Sequence, residues 1–364
     1  MTILSNWVSH TAPGNQCPKS YRSDPEQVIF GTVPQPTVLV TGGAGYIGSH
    51  CVRRLAEAGI SVVVIDNLYS GRRWAVPPDM PFVEGNAGDA RLVAETIRAH
   101  GVSAVLHFAG HISVPESVDH PLKYYNNNAC VSRNLIDTCV AEGVEHFVFS
   151  STAAVYGEPE VVPIAESTPR RPMNPYGSSK LITEWMLRDT AVSTPDFRFV
   201  ALRYFNVAGA RPDGTIGQAT RGVTHLVKIA SEATCGFRPH VSIFGTDYAT
   251  RDGTCVRDYI HVEDLCEAHV LAVRHLLGGG DGGTFNVGYG TGFTVREVLD
   301  AMQEVTGIRL RIVEEGRRPG DPTSLVADST AIRRAFDWTP RYDDLRVICD
   351  TAYRWERSRL VTST

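Results

Sequence analysis

The amino-acid sequence predicts an α/β protein whose core is a doubly wound parallel sheet. Between residues 37 and 205, short apolar runs alternate with longer segments in which apolar residues recur every three or four positions. This alternation of strands and helices is typical of a parallel sheet with right-handed crossovers. Beyond residue 206 the alternation stops, and glycine, proline and arginine become more frequent, which predicts a smaller α+β domain that covers the first.

The predicted strands of the first half are short apolar runs bounded by turn residues. They lie at residues 37–41, 61–65, 82–85, 104–108, 146–150 and 199–205. Helices are predicted at residues 45–58, 90–99 and 122–141, around Tyr176, and later at residues 263–277, 295–305 and 345–357.

The N-terminal segment is rich in proline and does not show the alternation of strands and helices. Residues 1–36 contain five prolines among polar residues and lack the basic start and apolar core of a signal peptide, so a flexible extension is predicted. Residues 37–206 are predicted to form the first domain. Residues 207–364 are predicted to form the second, with some of the chain returning to the first.

The composition argues against several classes of function. With 43% hydrophobic residues but no long apolar run, the chain can bury a core and is not expected to span a membrane. Its net charge of −5 argues against a nucleic-acid surface. The eight cysteines have no metal-site spacing, so we expect no metal and mostly buried thiols in a reducing cytoplasm.

A glycine turn directly follows the first predicted strand. Gly42, Gly45 and Gly48 have the spacing that lets a strand turn into a helix and lets backbone amides reach a pyrophosphate. Asp66 ends the second strand, where a carboxylate can accept hydrogen bonds from an adenosine ribose and repel a 2′-phosphate. The pattern predicts a Rossmann domain that binds NAD.

A tyrosine and a lysine four residues apart form the candidate catalytic pair. On a helix, Tyr176 and Lys180 project from one face, where an ammonium can stabilise a phenolate. A solvated helix face would show the same spacing. Thr152 lies at the carboxyl end of the fifth parallel strand, beside which cofactor and substrate should lie, so its hydroxyl can hold the oxygen that Tyr176 deprotonates.

From about residue 37 to its end, the sequence resembles the extended short-chain dehydrogenase/reductase family, and within it the members that epimerise UDP-hexoses at C4. The motifs that carry the resemblance are the glycine turn, Asp66-Asn67, His107-Phe108-Ala109-Gly110, Phe149-Ser150-Ser151-Thr152, Tyr176-x-x-x-Lys180, Leu202-Arg203-Tyr204-Phe205-Asn206 and Arg257-Asp258-Tyr259-Ile260-His261-Val262.

The resemblance implies reversible interconversion of UDP-glucose and UDP-galactose through a transient 4-keto sugar, with tightly bound NAD. It implies that Tyr176 is the base, that Lys180 lowers the tyrosine pKa and binds the nicotinamide ribose, and that Thr152 orients the 4-oxygen. It also implies a homodimer through a helix pair. Residues 122–141 and 181–190 carry apolar positions that would permit such an interface, and burial inside a monomer would explain them equally well.

The resemblance also implies two sets of contacts. The cofactor contacts come from Gly42, Gly45, Tyr46, Ile47, Gly48, Asp66, Asn67, Asn86, Ala87, Phe108, Ala109, Gly110, Asn128, Ser150, Tyr176, Lys180 and Phe205. The substrate contacts come from Thr152, Tyr176, Asn206, His225, Leu226, Ser242, Phe244, Arg257, Arg318, Asp321 and Leu325.

Some positions depart from the family pattern and leave alternatives open. Asn86 replaces an acidic residue near the adenine, and Ile112 replaces a lysine found near the cofactor phosphates in some members. Residues 224–226 replace an asparagine pair. Leu325 stands where residue size limits the C2 substituent, so a UDP-N-acetylhexosamine or UDP-pentose remains an alternative substrate. A net sugar-nucleotide oxidoreductase and a non-catalytic sensor are further alternatives, whereas Ala153 and its neighbours offer no carboxylate for a dehydratase.

Overall fold

A computed structural model describes residues 36–220, 222 and 224–361. The predicted flexible extension at residues 1–36 lies outside the described residues except for Pro36. The described strands are β1 (Thr37–Thr41), β2 (Ser61–Asp66), β3 (Phe82–Glu84), β4 (Val102–His107), β5 (His146–Thr152), β6 (Arg198–Tyr204), β7 (Asn206–Ala208), β8 (Val241–Phe244), β9 (Val256–His261), β10 (Gly283–Val287), β11 (Gly292–Thr294), β12 (Ile312–Glu315) and β13 (Ser324–Leu325).

The helices lie between these strands. They are α1 (Tyr46–Glu57), α2 (Ala90–His100), α3 (Val114–Asp119), α4 (Pro121–Tyr124), α5 (Val131–Ala141), α6 (Pro175–Ser193), α7 (Leu226–Thr234), α8 (Val262–Leu277), α9 (Val295–Thr306), α10 (Thr330–Phe336) and α11 (Leu345–Val361). No described helix has the length and apolar character needed to cross a membrane.

The central sheet is parallel and covered on both faces, which confirms the predicted α/β fold class. In the described chain its strand order is β10-β6-β5-β4-β1-β2-β3. Val38 and Val40 of β1 pack with α1 and α8, whereas Leu39 packs on the other face with α2, α5 and α6. Because successive side chains point to opposite faces and both faces are buried, the strands are apolar throughout.

The sheet topology places a binding crevice above β1. The crossover that leaves β1 leads outward to β2 and β3, whereas β4, β5 and β6 lie on its other side. Ligands of such sheets bind outside the carboxyl ends of the strands at this switch in direction. The ends of β1, β2, β4 and β5 therefore position the site.

A second apolar core lies beyond the central sheet. It packs α7, α9 and α11 around Val227, Ile243, Leu299 and Ile348. β9 pairs with β7, β11 and β13, and β8 pairs with β12. β10 pairs with β6 in the central sheet instead. The division into domains at residue 206 stays a prediction.

Two elements differ from their predicted form. The helix expected at residues 122–141 is interrupted by a π-helical segment, Tyr125–Cys130, between α4 and α5. β5 continues through Thr152, beyond the predicted end at residue 150. The polar residues at this end stay in the strand because the sheet pairing continues and buried partners satisfy them, as when the Ser151 hydroxyl donates to Glu184 at 2.5 Å.

Candidate active site

The first turn of α1, which follows the glycine turn after β1, presents backbone amides that have no partner within the helix to the crevice. A Cβ at Gly48 would lie 2.3 Å from the carbonyl oxygen of Gly42, so glycine is required for the helix to start this close to the turn. Within the described residues, no side chain caps the first turn of α1, and the turn contains no acidic residue. The helix dipole and these amides therefore favour an anion such as a pyrophosphate.

Asp66 holds a carboxylate at the end of β2, beside this turn. Its oxygens accept hydrogen bonds from the backbone amides of Ala44 at 2.9 Å and Leu68 at 2.8 Å. Burial raises the pKa of Asp66, and the two hydrogen bonds oppose that rise. The carboxylate lines the crevice at the position where a Rossmann domain binds an adenosine ribose.

The start of α6 positions the predicted catalytic pair. The Asn174 side chain accepts a hydrogen bond from the backbone amide of Gly177 at 2.9 Å, which begins the helix just before Tyr176. Lys180 follows one turn later on the same face. A Cβ at Gly177 would lie 2.6 Å from the carbonyl oxygen of Ala154, so glycine allows α6 to approach the segment that follows β5.

Lys180 is a buried ammonium with one hydrogen bond from Nζ, to the carbonyl oxygen of Ser150 at 2.9 Å. Nζ also lies 4.9 Å from the ring centroid of Phe149. Burial lowers the pKa of Lys180 to about 8, so the group remains mostly protonated at pH 7.

The Tyr176 phenol lies next to Thr152. Burial raises the pKa of Tyr176, and a hydrogen bond with the Thr152 hydroxyl acts in the opposite direction. The Thr152 hydroxyl also accepts a hydrogen bond from the backbone amide of Ala154 at 3.1 Å. These contacts place a hydroxyl and a phenol side by side, where both can reach the same substrate oxygen.

Tyr204 is a cavity residue to which the sequence analysis assigned no role. It pairs with Thr152 across β5 and β6, and its hydroxyl hydrogen-bonds to the Ser150 hydroxyl. Burial raises the pKa of Tyr204. The motif of residues 202–206 already contained this tyrosine, and its place at the end of a strand beside β5 was the signal available in the sequence.

The other side of the cavity carries cationic and aromatic groups. Nε of Arg318 donates to Asp321 at 2.8 Å, and the guanidinium carbon lies 4.5 Å from the Phe244 ring centroid. Arg257 donates to its neighbouring backbone carbonyl at 2.8 Å. A guanidinium is suited to phosphate, and an aromatic face is suited to a stacked base.

His225 lines the same side of the cavity, just before α7. The side-chain amide of Gln218 donates to Nδ1 of His225 at 2.8 Å, so Nε2 carries the ring proton of the neutral imidazole. Burial lowers the pKa of His225. The residue can therefore donate a hydrogen bond from Nε2 to a substrate oxygen.

The predicted site residues converge on one cavity of about 400 Å³. The predicted residues that line it are Gly42, Gly45, Tyr46, Ile47, Gly48, Asp66, Asn67, Asn86, Ala87, Phe108, Ala109, Gly110, Ser150, Thr152, Tyr176, Lys180, Phe205, Asn206, His225, Leu226, Ser242, Phe244, Arg257, Arg318, Asp321 and Leu325. No cluster of three or more metal-ligating side chains is present in the described chain.

Asn128 is the predicted cofactor residue that the structure does not bring to the cavity wall. It is 2% exposed, and its amide accepts from the His111 amide at 2.8 Å and donates to the His111 carbonyl at 3.0 Å. Asn128 therefore holds the loop after β4. Tyr69 and His111 line the cavity from loops, and neither had a sequence signal of its own.

The chain matches a known protein family and known relatives over most of its length. The sequence model of the NAD dependent epimerase/dehydratase family matches residues 38–288. The chain is 55% identical to UDP-glucose 4-epimerase from Azospirillum brasilense over 327 residues, which cover 90% of this chain and 94% of that relative.

Solved structures show the same similarity. UDP-glucose 4-epimerase from Brucella ovis, in complex with NAD, is 43% identical with a TM-score of 0.84, covering 87% of this chain and 97% of that one. The UDP-Glc/GlcNAc 4-epimerase from Campylobacter jejuni is 44% identical with a TM-score of 0.78, covering 89% of this chain and 99% of that one.

Proposed function

The chain belongs to the NAD-dependent epimerase/dehydratase family, and we propose that it interconverts UDP-glucose and UDP-galactose by reversible epimerisation at C4. One observation carries the proposal. Thr152, Tyr176 and Lys180 line the same cavity as the glycine turn and the carboxylate of Asp66. A group that moves a proton and a site for a dinucleotide therefore face one space.

The residues at the first half of the cavity fit NAD. The uncapped N-terminus of α1 suits its pyrophosphate, and Asp66 suits a ribose with a free 2′-hydroxyl. Bound NAD supplies a hydride acceptor and donor, so that C4 of the sugar can be oxidised to a ketone and reduced again.

Tyr176 moves the proton in this scheme. As phenolate it takes the proton of the sugar 4-hydroxyl and later returns it, while Thr152 holds the 4-oxygen. Lowering a tyrosine pKa from about 10 to about 7 requires about 4 kcal/mol of differential stabilisation. Burial acts against this, so we propose that the ammonium of Lys180, one turn later on the same helix face, favours the phenolate.

The second half of the cavity fits the UDP group. Arg257 and Arg318 can bind the diphosphate, and Phe244 can contact the uracil. Nε2 of His225 can donate to the diphosphate or sugar. These contacts hold the nucleotide in place while the keto sugar turns, so that the opposite face of C4 is reduced.

The acidic residues of the cavity argue against elimination of water. Among the described residues that line it, only Asp66 and Asp321 are acidic. Asp66 lies at the end of β2, and Asp321 is bonded to Arg318. A 4,6-dehydratase needs an acid and a base beside Thr152. Oxidation and reduction at one carbon is therefore the simpler outcome.

A second candidate substrate is a UDP-N-acetylhexosamine. Leu325 is 7% exposed and lines the cavity, and a leucine there is smaller than a tyrosine that would exclude an N-acetyl group. The Campylobacter jejuni relative is named for both glucose and N-acetylglucosamine substrates. A UDP-pentose, which lacks the C6 group, is the third substrate to compare.

Incubation without added cofactor tests the proposed function. Purified protein is mixed separately with UDP-galactose, UDP-N-acetylgalactosamine and UDP-xylose, and the products are separated by chromatography. Formation of UDP-glucose without accumulation of reduced cofactor supports the epimerase. In a parallel incubation with added NAD, stoichiometric reduction of that NAD would instead indicate a net oxidoreductase, and no conversion of any substrate in either incubation would contradict the proposal.

We further propose a homodimer with a helical interface. The π-helical segment between α4 and α5 packs against α6. Leu122 on α4 is 79% exposed, and Trp185 on α6 is 44% exposed. A second copy of the chain would cover this apolar surface in a four-helix arrangement. Sedimentation analysis at micromolar concentration should show a dimer that Trp185→Glu converts to monomer; a wild-type monomer would contradict this.

We also propose that the protein is located in a reducing cytoplasm, and its free thiols support this. The cysteines within the described part of the chain are all free, and Cys51 and Cys266 contact each other as thiols in the core. Proteins of oxidising compartments commonly pair such residues. Localisation of a tagged protein by fractionation tests the proposal, and recovery outside the cytoplasm would contradict it.

A further inference from the structure

Two loops on opposite sides of β1 meet above the crevice. The loop after β2 carries Tyr69, and the loop after β4 carries His111. Their rings meet edge to face, with centroids 4.9 Å apart. Because β1 lies between β2 and β4 in the sheet, this contact crosses the carboxyl end of β1, next to the first turn of α1 and its uncapped amides.

Lys123 adds a second link to the same ring. Its Nζ lies 5.5 Å from the Tyr69 ring centroid and donates to the Tyr69 hydroxyl at 3.2 Å. Lys123 also pairs with Glu116 at 2.5 Å, which anchors it to the segment after β4. Tyr69 is 64% exposed, yet it lines the cavity and contacts two residues across it.

The two sides of this contact differ in rigidity. On the β4 side, buried Asn128 binds both the amide and the carbonyl of His111. On the β2 side, the backbone turns at Leu68, which has a left-handed φ of 57°, and Tyr69 is exposed. The exposed Tyr69 side chain can therefore swing away from this contact, whereas the His111 backbone is fixed by a buried amide.

We infer that Tyr69, His111 and Lys123 form a cofactor strap that retains NAD by closing over its pyrophosphate. The inference rests on the proposed function, since the cavity beneath the strap must hold NAD. Opening requires the Tyr69 contacts to break, so the strap slows release of the cofactor. An epimerase regenerates NAD in each cycle and therefore has no need to exchange it.

The test measures bound nucleotide and its release, separately from turnover. Purified holoenzyme is heated to release NAD, which is quantified by chromatography. Release is followed by incubating the holoenzyme with an NAD glycohydrolase that destroys free NAD. Tyr69→Ala is compared with Tyr69→Phe and with Phe237→Ala. Phe237 is an exposed aromatic residue, at 50%, that does not line the cavity as described.

Loss of the aromatic and cation contacts should accelerate NAD release about tenfold in Tyr69→Ala. Tyr69→Phe, which keeps the ring, should accelerate it less, and Phe237→Ala should release NAD at the wild-type rate. Wild-type release from Tyr69→Ala, or equal acceleration in Phe237→Ala, would overturn the strap alone. A wild-type protein that binds no NAD would overturn the proposed function and the strap with it.

Discussion

Lys180 donates a hydrogen bond from Nζ to the backbone carbonyl oxygen of Ser150, at 2.9 Å, deep in the cavity wall. Neither residue of this pair offers a carboxylate to balance the ammonium. Burial therefore lowers the pKa of Lys180 to about 8 from the ordinary value of 10.5. Lys180, which the proposed chemistry requires, therefore destabilises the fold.

Lys180→Met should abolish turnover and raise the free energy of unfolding of nucleotide-free protein. The lowering of the Lys180 pKa from 10.5 to about 8 corresponds to about 3 kcal/mol, and loss of the Ser150 hydrogen bond offsets about 1 kcal/mol. We expect a net gain of about 2 kcal/mol at pH 7 in urea unfolding. The gain should shrink above pH 8, where the buried wild-type lysine deprotonates.

Lys228→Met is the matched control for that substitution. Lys228 is equally buried but pairs with Glu356, so its removal breaks a buried ion pair and leaves Arg359 to pair with that carboxylate. The free energy of unfolding of this variant should fall by about 3 kcal/mol. If Lys180→Met and Lys228→Met both lose stability, burial of the Lys180 ammonium does not destabilise the wild-type fold.

Tyr176→Phe should reduce turnover about a thousandfold or more, because the base is removed while the ring remains. Bound NAD, measured by chromatography, should stay at the wild-type level. Tyr204→Phe removes a hydroxyl that bonds to Ser150 and should cost less than about tenfold in turnover. Comparable losses in the two variants would contradict the assignment of Tyr176 as the base.

Arg318→Gln should raise the KM for UDP-galactose about tenfold with little change in kcat. The guanidinium is held by Asp321 beside Phe244, where it would bind the nucleotide and not the reacting carbon, so we expect its binding energy to be the same in the ground and transition states. Arg317→Gln is the control, because Arg317 pairs with Asp247 and does not line the cavity as described. Initial rates over a range of substrate concentrations separate the two parameters, and an unchanged KM would remove Arg318 from the substrate site.

His269→Phe should make stability less sensitive to acid. Burial lowers the pKa of His269 to about 4, whereas an unfolded histidine titrates at 6.5. The unfolded chain therefore binds the proton first, and stability falls as the pH drops from about 6.5 towards 4. Between pH 6 and 5, the slope of unfolding free energy against pH should decrease by about 1 kcal/mol per unit in the variant. Urea unfolding at several pH values measures this slope, and an unchanged slope would contradict the burial of a neutral His269.

The sequence predicted the elements whose causes are local. Residues 38–40 are apolar because both faces of β1 are buried, and the following glycines are needed where α1 starts. Tyr176 and Lys180 share a face because they are four apart on α6. These features depend on chain neighbours and on the helical repeat, which a single sequence shows directly.

Contacts between distant segments could not be predicted in the same way. Tyr69 and His111 lie on separate loops, and their contact depends on the strand order around β1. Asn128 is predicted to contact the cofactor, and the bonds of its amide to the backbone of His111 have no local sequence signal. The hydrogen-bond partner of Lys180 likewise required the packing of α6 against β5.

The proposed epimerase mechanism is tested most directly by following a single hydrogen atom. UDP-galactose carrying deuterium at C4 is incubated with the purified protein in ordinary water, without added cofactor, and the resulting UDP-glucose is analysed by mass spectrometry and NMR. We predict that the product retains the deuterium at C4, because oxidation and reduction occur at one carbon with NAD that does not leave. Product carrying ordinary hydrogen at C4, with deuterium in the water, would contradict this mechanism.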